Sequence, residues 1–360
     1  MIQNAQALRA VAASMVVIHH IGSLYLTREL GIVWPTTGAA GVDLFFVLSG
    51  FIMVYSTING DQRPVPFICR RIIRIVPLYA LVTLVVWAMI NLGFQVNGLI
   101  RGVDGTVEQL LKSLFFVPFE RAWGDIVPLL TVGWTLNYEM LFYALLALSL
   151  SLRHWGNPFH TLLIILFALV GVGAFLGDGA PLALRFFLDA ILLEFAIGMV
   201  IGLAYRHITA IDASRSKRLG AMVVVIGVGA LAMTAVLGID GEVGGIVRVI
   251  VWGLPAAAII TGALMLERAG VLWNNPFLLL QGDASYATYL VHMLVMQTSV
   301  WIIAIVLAPT STALIVLIAG GLFVACLTAG TVLHLLVERP VTRLLRRDFL
   351  ITPRPMPFAR

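Results

Sequence analysis

Cysteine and charge are both scarce in this chain. Of its 360 residues two are cysteines, Cys69 and Cys326, far apart in sequence, so neither a disulfide framework nor a cysteine-based metal cluster can be assembled from them. Charged residues make up 11% and hydrophobic residues 60% of the chain, with a mean hydropathy of +1.00, which excludes an ordinary water-soluble domain. No internal repeat is found, and no small-residue cleavage site follows the first apolar run, so that run is expected to stay as a helix. Gly171, Gly173 and Gly177 have no strand before them; they read as close helix packing rather than a nucleotide fingerprint. The net charge of +5 would suggest nucleic acid in a soluble protein. Here the basic residues fall mostly between apolar runs, where they orient a membrane protein, and no nucleic-acid partner is expected.

What the chain has in abundance is apolar runs of about 20 residues, each long enough at 1.5 Å per residue to cross a hydrocarbon core of about 30 Å. Ten are predicted, at 7–26, 39–57, 77–95, 133–152, 160–177, 183–204, 219–238, 246–265, 285–306 and 312–335. The expected fold is all-α, a polytopic membrane helical bundle. Residues 1–345 form one membrane domain, and 346–360 form a short basic, proline-containing tail. Arg63, Arg70, Arg71 and Arg74 follow the second run, and Arg206, Arg215, Lys217 and Arg218 the sixth. With strict alternation Arg153, Arg268 and the tail arginines join them, sixteen basic residues against six on the other side. Both termini are therefore expected in the cytoplasm. Asp240 and Glu242 fall in an outer turn, while Arg101 to Asp125 belong to a long outer connection that reads either as holding an interfacial amphipathic helix or as a plain surface turn.

Ionisable groups inside the runs are costly and mark the places where chemistry is sought first. Arg9 and His20 are eleven residues apart, which returns to one helix face about 16 Å further along the axis. One end of that face offers an anion-binding guanidinium and the other a general-base imidazole. A snorkelling arginine and a packed histidine are the competing reading. Asp43, in the second run, and Glu139, in the fourth, both enter from the outer side, at depths expected to match that of His20, where a carboxylate would orient the ring. Ser49 and Gly50 lie deeper. Arg71 and Arg74, one turn apart before Pro77 and Tyr79, suit phosphate oxygens, although topology alone also accounts for them. His292, in the ninth run, is expected to line the same passage, and Glu338 to form an ion pair at the end of the tenth. No ligand set with the spacing of a metal site is present.

Taken in order, Arg9 with His20, Gly41-Val42-Asp43-Leu44-Phe45-Phe46 leading to Ser49-Gly50-Phe51, Arg71-x-x-Arg74 before Pro77 and Tyr79, Trp134 to Glu139, and Ser285-Tyr286 to His292 resemble the membrane acyltransferase-3 family, across nearly the whole chain. The short form without an added domain looks most like its exopolysaccharide-production branch. The resemblance implies transfer of an acetyl or other short acyl group from acyl-CoA to a hydroxyl of an exported or cell-surface polysaccharide or its lipid-linked precursor, in the bacterial inner membrane. Polysaccharide-synthesis machinery is an implied partner. It implies a catalytic His20 with Arg9 as its companion, an acyl-CoA site at Arg71 and Arg74, and no metal. Tyr79, Ser49 and His292 join the donor site in this reading, and Asp43 and Glu139 the catalytic set. A multi-pass transporter or flippase without acyl-transfer chemistry is the rival class, since polar helices and a midplane pocket serve a transported substrate equally well.

Overall fold

The computed structural model describes residues 2–60, 62–93, 103–122, 124–239, 244–306 and 311–349. Arg101, Asp240, Glu242 and residues 350–360 of the predicted tail lie outside them. Among the described residues ten long helices overlap the ten predicted runs: α1 Gln3–Ile21, α2 Gly41–Ile58, α3 Pro64–Asn91, α4 Trp134–Ser151, α5 Pro158–Leu176, α6 Leu192–Ala210, α7 Ala213–Val236, α8 Leu254–Arg268, α9 Pro276–Val306 and α10 Thr312–Leu333. No strand occurs among the described residues, where Glu120 and Ile126 form an isolated bridge. Eight of the helical stretches are long and apolar enough to cross a membrane. The other two helices, α4 and α9, carry the polar residues Asn137 and Glu139, and Gln281, Asp283 and His292. Large apolar side chains stand exposed on the outer helices, with Phe175 at 90%, Leu317 at 72% and Val225 at 70%, a surface that water would not tolerate and acyl chains do.

Glycine sets the closest helix contacts. A methyl group at Gly50 would lie 2.2 Å from Phe195 O, and one at Gly198 2.0 Å from Val47 O, so α2 and α6 touch backbone to backbone. Gly220 and Gly262 do the same for α7 and α8. Of the three glycines expected in close packing, Gly173 abuts Leu188. Gly171 faces open space, and Gly177 ends α5 with φ +60° and ψ −157°, a backbone region open essentially to glycine alone.

α9 starts at Pro276 rather than 285 and α7 at Ala213 rather than 219, and three further elements depart from the predicted bounds for local reasons. α3 starts at Pro64 rather than 77, because a proline in the first helical turn has no N–H to leave unpaired; Arg70, Arg71 and Arg74 are thus helical and not in a loop. Before α6 the chain breaks after a short helix, Leu182–Phe187, and Asp189 accepts the N–H of Ile191 at 2.8 Å, an aspartate turn that interrupts the helix. α1 continues through a π-helical turn, Gly22–Leu26, to Leu30; similar turns, Val249–Gly253 and His334–Glu338, precede α8 and follow α10.

The connection from α3 to α4 contains an amphipathic helix, Val107–Leu114. Thr106 caps it through the N–H of Gln109 at 3.2 Å. Its exposed Val107 and Leu111 and the adjoining Phe115 suit the membrane interface. Arg121 ties the remainder of the connection, donating to Leu129 O at 3.1 Å and Thr131 Oγ1 at 3.3 Å. Burial pulls its guanidinium down to about 10, still cationic at neutral pH.

Candidate functional site

The site is assembled on α1, α2, α3, α4 and α9. The first N–H groups of α1 have no partner within their own helix, and Glu267 of α8 accepts two of them, from Gln3 at 2.9 Å and Asn4 at 2.8 Å. Asn4 is fully buried and hydrogen-bonds Ala263 O, Val271 O and the N–H of Trp273. With its start anchored in this way, α1 presents Arg9 to α9, where Nε and Nη2 donate to Ser285 Oγ at 3.2 and 3.1 Å. Eleven residues on, His20 meets α9 again: its Nδ1 lies 3.1 Å from His292 Nε2 and 2.9 Å from Val16 O. Both side chains use one face of α1, and one partner helix serves both.

Arg9, Arg71 and Arg74 line a cavity with Ser49, Glu139, Tyr143, Tyr286 and Tyr289; Phe45, Leu48, Ile52 and Met53 supply apolar walls. The space free of protein atoms, with the solvent it opens to included, is about 840 Å³. Glu139 accepts from Ser49 Oγ at 3.3 Å and from the Tyr143 hydroxyl, one helical turn further along α4. Arg74 is paired with Glu338, which also contacts His334 Nδ1 at 2.8 Å. Arg71 lies over Phe67 and Tyr143, with its Cζ 5.5 and 5.9 Å from the ring centroids, and its Nε is buried with no hydrogen-bond partner. Three guanidinium groups against two carboxylates leave a net positive surface with unused donors, suited to an anion. Among the described residues no group of three His, Cys, Asp or Glu side chains could hold a metal ion.

Tyr289 and Phe45 both stand on the cavity wall, and their rings meet edge-on at 6.0 Å. The Tyr289 hydroxyl donates to Val132 O at 3.0 Å and touches Thr135 Oγ1 at 2.9 Å. On the other side of Tyr289, 5.9 Å between ring centroids, is His292, and beyond it His20. Neither histidine lines the cavity, and the pair is separated from it by Tyr289.

A family profile described as "Acyltransferase domain" matches residues 2–330. The chain belongs to the acyltransferase-3 family. It is 34% identical over 315 residues to the exopolysaccharide production protein ExoZ of Rhizobium meliloti (strain 1021), covering 86% of this chain and 90% of that one. It is 27% identical over 346 residues to the acyltransferase MdmB of Streptomyces mycarofaciens, covering 89% and 85%. No solved structure matches. The protein is thus a multi-pass membrane acyltransferase, and the cavity and the histidine pair are read as parts of such an enzyme.

Within this acyltransferase the residues expected to share one depth separate into three places. His20 is with His292, Glu139 is in the cavity, and Asp43 is fully buried against Arg248. The Arg248 fork donates from Nε to Asp43 Oδ1 at 3.0 Å and from Nη2 to Oδ2 at 2.9 Å, and it lies 4.9 Å from the Trp252 ring and 5.8 Å from that of Trp134. Glu194, also fully buried, faces Asp43, and neither of its oxygens has a hydrogen-bond donor among the described residues. Asp43 therefore does not orient His20; a common depth says nothing about which helices are neighbours.

Tyr79 and His292, placed in the donor site from sequence, do not line the cavity. Tyr79 is fully buried, stacks on Phe116 at 5.1 Å and donates to Ser113 O at 3.1 Å, supporting the outer connection. Glu338 pairs with Arg74 of another helix as well as with His334 at its own helix end. Tyr143 went unnoticed in the sequence although its i+4 spacing from Glu139 was the signal for it. Arg248 and Glu194 were also passed over, although each is an ionisable residue inside a predicted run, 246–265 and 183–204, and that position was the signal for them.

Proposed function

We propose that this acyltransferase takes an acetyl or other short acyl group from cytoplasmic acyl-CoA and places it on a hydroxyl of an exported or cell-surface polysaccharide, or of its lipid-linked precursor, in the bacterial inner membrane. The observation that carries the reading is the cavity itself: a space among the helices with three arginines on its wall and with Tyr289 between it and a histidine pair. Arg71 and Arg74 are read as holding the donor's phosphates, with Arg9 and Ser49 further in, and the pantetheine arm as lying along the apolar wall. The relatives named as an exopolysaccharide production protein and as an acyltransferase support the choice of a hydroxyl acceptor.

In this reading His20 is the general base. The acceptor oxygen attacks the thioester carbonyl carbon while its proton passes to the imidazole. The C–S bond then breaks, the ester forms, and the imidazolium proton goes to the departing sulfur, giving free thiol. For the thioester to reach His20, Tyr289 and Phe45 must part. The distribution of basic residues supports termini in the cytoplasm, and with that topology the part of α3 that carries Arg71 and Arg74 is on the side where acyl-CoA is made.

The test is mass spectrometry of exported polysaccharide from strains carrying no protein, the native protein, or His20→Ala at equal membrane abundance. An ester of fixed mass is expected with the native protein alone. Full acylation in the His20→Ala strain would remove His20 from the chemistry.

A further inference from the structure

The hydrogen bonds around His20 and His292 determine where the protons of both rings lie. His292 is fully buried, with Nδ1 2.7 Å from the carbonyl oxygen of Tyr289. A carbonyl oxygen only accepts, so that nitrogen carries the hydrogen, and the neutral ring has its lone pair on Nε2. Nε2 faces His20 Nδ1 at 3.1 Å, and the same Nδ1 lies 2.9 Å from Val16 O. Two acceptors therefore converge on His20 Nδ1, which must be the N–H. The remaining nitrogen of His20, Nε2, is left with the free lone pair. The opposite assignment would set a bare Nδ1 against the Val16 carbonyl and would cost a buried hydrogen bond. Among the described residues neither ring is ion-paired to a carboxylate.

We propose that His292 is a positioning residue that fixes the tautomer and orientation of His20, so that Nε2 is the nitrogen offered to the acceptor hydroxyl. It does with a neutral ring, itself oriented by a backbone carbonyl, what a carboxylate does for histidine in hydrolytic triads. His292 keeps its own proton throughout: the acceptor's proton enters and leaves at His20 Nε2. This rests on the reading of His20 as base, and it moves His292 from the donor site to the histidine pair.

Two variants and one spectrum test it. His292→Leu removes the acceptor facing His20, whereas His292→Gln can return an amide oxygen near the position of Nε2. Turnover is measured with purified protein, acetyl-CoA and unacylated polysaccharide from the deletion strain. His292→Leu is expected to lower kcat by about 10²-fold with KM for acetyl-CoA unchanged, and Gln to recover at least about ten-fold of that loss. A raised KM with kcat intact would return His292 to the donor site and overturn the proposal, as would Leu and Gln variants that are equally slow and correctly inserted. Nitrogen-15 spectra of histidine-labelled native protein, assigned by comparison with His20→Ala, need no variant at position 292. They are expected to show His20 protonated at Nδ1 and bare at Nε2; the reverse tautomer overturns the proposal. If this tautomer is found but His20→Ala acylates normally, it is the base reading that has failed and not the hydrogen-bond pattern.

Discussion

Two carboxyl groups and one guanidinium enclosed together, as Asp43, Glu194 and Arg248 are, balance in charge only if one carboxyl carries a proton. Asp43 makes both hydrogen bonds to Arg248, so Glu194 is the group expected to hold it. The two ways of breaking the ion pair should then differ in cost. Asp43→Asn removes a carboxylate, but Glu194 can release its proton and become the counter-charge, so the loss is that of the bidentate geometry, about 1–3 kcal/mol. Arg248→Met strands two carboxyl groups with no cation, and removing one partner of a buried pair costs about 3–5 kcal/mol. Glu194→Gln alone is expected to be nearly neutral, because an amide replaces a protonated acid of the same shape. Combined with Asp43→Asn it should be non-additive by more than about 1 kcal/mol, since the spare counter-charge is then gone. Thermal unfolding in detergent, followed by tryptophan fluorescence, gives the order. Native and Glu194→Gln should be highest, Asp43→Asn below them, and Arg248→Met lowest. An Asp43→Asn midpoint at or below that of Arg248→Met would refute the charge count.

The donor-site arginines should not be equivalent. Arg71, whose Nε has no partner, is expected to raise KM for acyl-CoA by about 10–100-fold when changed to alanine, as the loss of a charged hydrogen bond would. Arg74→Ala should cost less than about ten-fold, since its guanidinium is already shared with Glu338; a larger effect for Arg74 in steady-state kinetics would reverse that ranking. Gly198→Ala places a methyl 2.0 Å from Val47 O and should destabilise by about 1–3 kcal/mol. Gly171→Ala, which meets nothing within 4 Å, serves as the control; equal melting of the two would mean that α2 and α6 separate without cost.

Much of the molecule follows from local properties. Hydropathy alone located ten helices, because each must satisfy its own backbone in lipid over a length set by the bilayer. The shared face of Arg9 and His20 likewise follows from helical periodicity, and α9 meets them at Ser285 and His292. The start of α3 differs because a window sensitive to apolarity treats Arg70, Arg71 and Arg74 as its end, whereas the helix continues through them with the charged heads of Arg71 and Arg74 at the cavity.

The partners of the buried groups were decided by tertiary structure. Hydropathy does not distinguish a lipid-facing helix from an interior one, since both are apolar: 67% of the stretch containing α2 is buried but 17% of α5. Depth along the membrane normal is one coordinate of three, and Asp43, Glu139 and His20 could share it while facing different neighbours. The choice of Arg248 for Asp43, Tyr143 and Ser49 for Glu139, and His292 for His20 depends on how the helices are ordered around the bundle. That order is set by backbone-close contacts such as Gly198 on Val47 and by ion pairs such as Arg74 with Glu338, between residues far apart in the chain. The sequence by itself determined a helical membrane protein and the face that carries Arg9 and His20. Which groups meet inside was left to packing, because contact between distant helices has no signature in local periodicity.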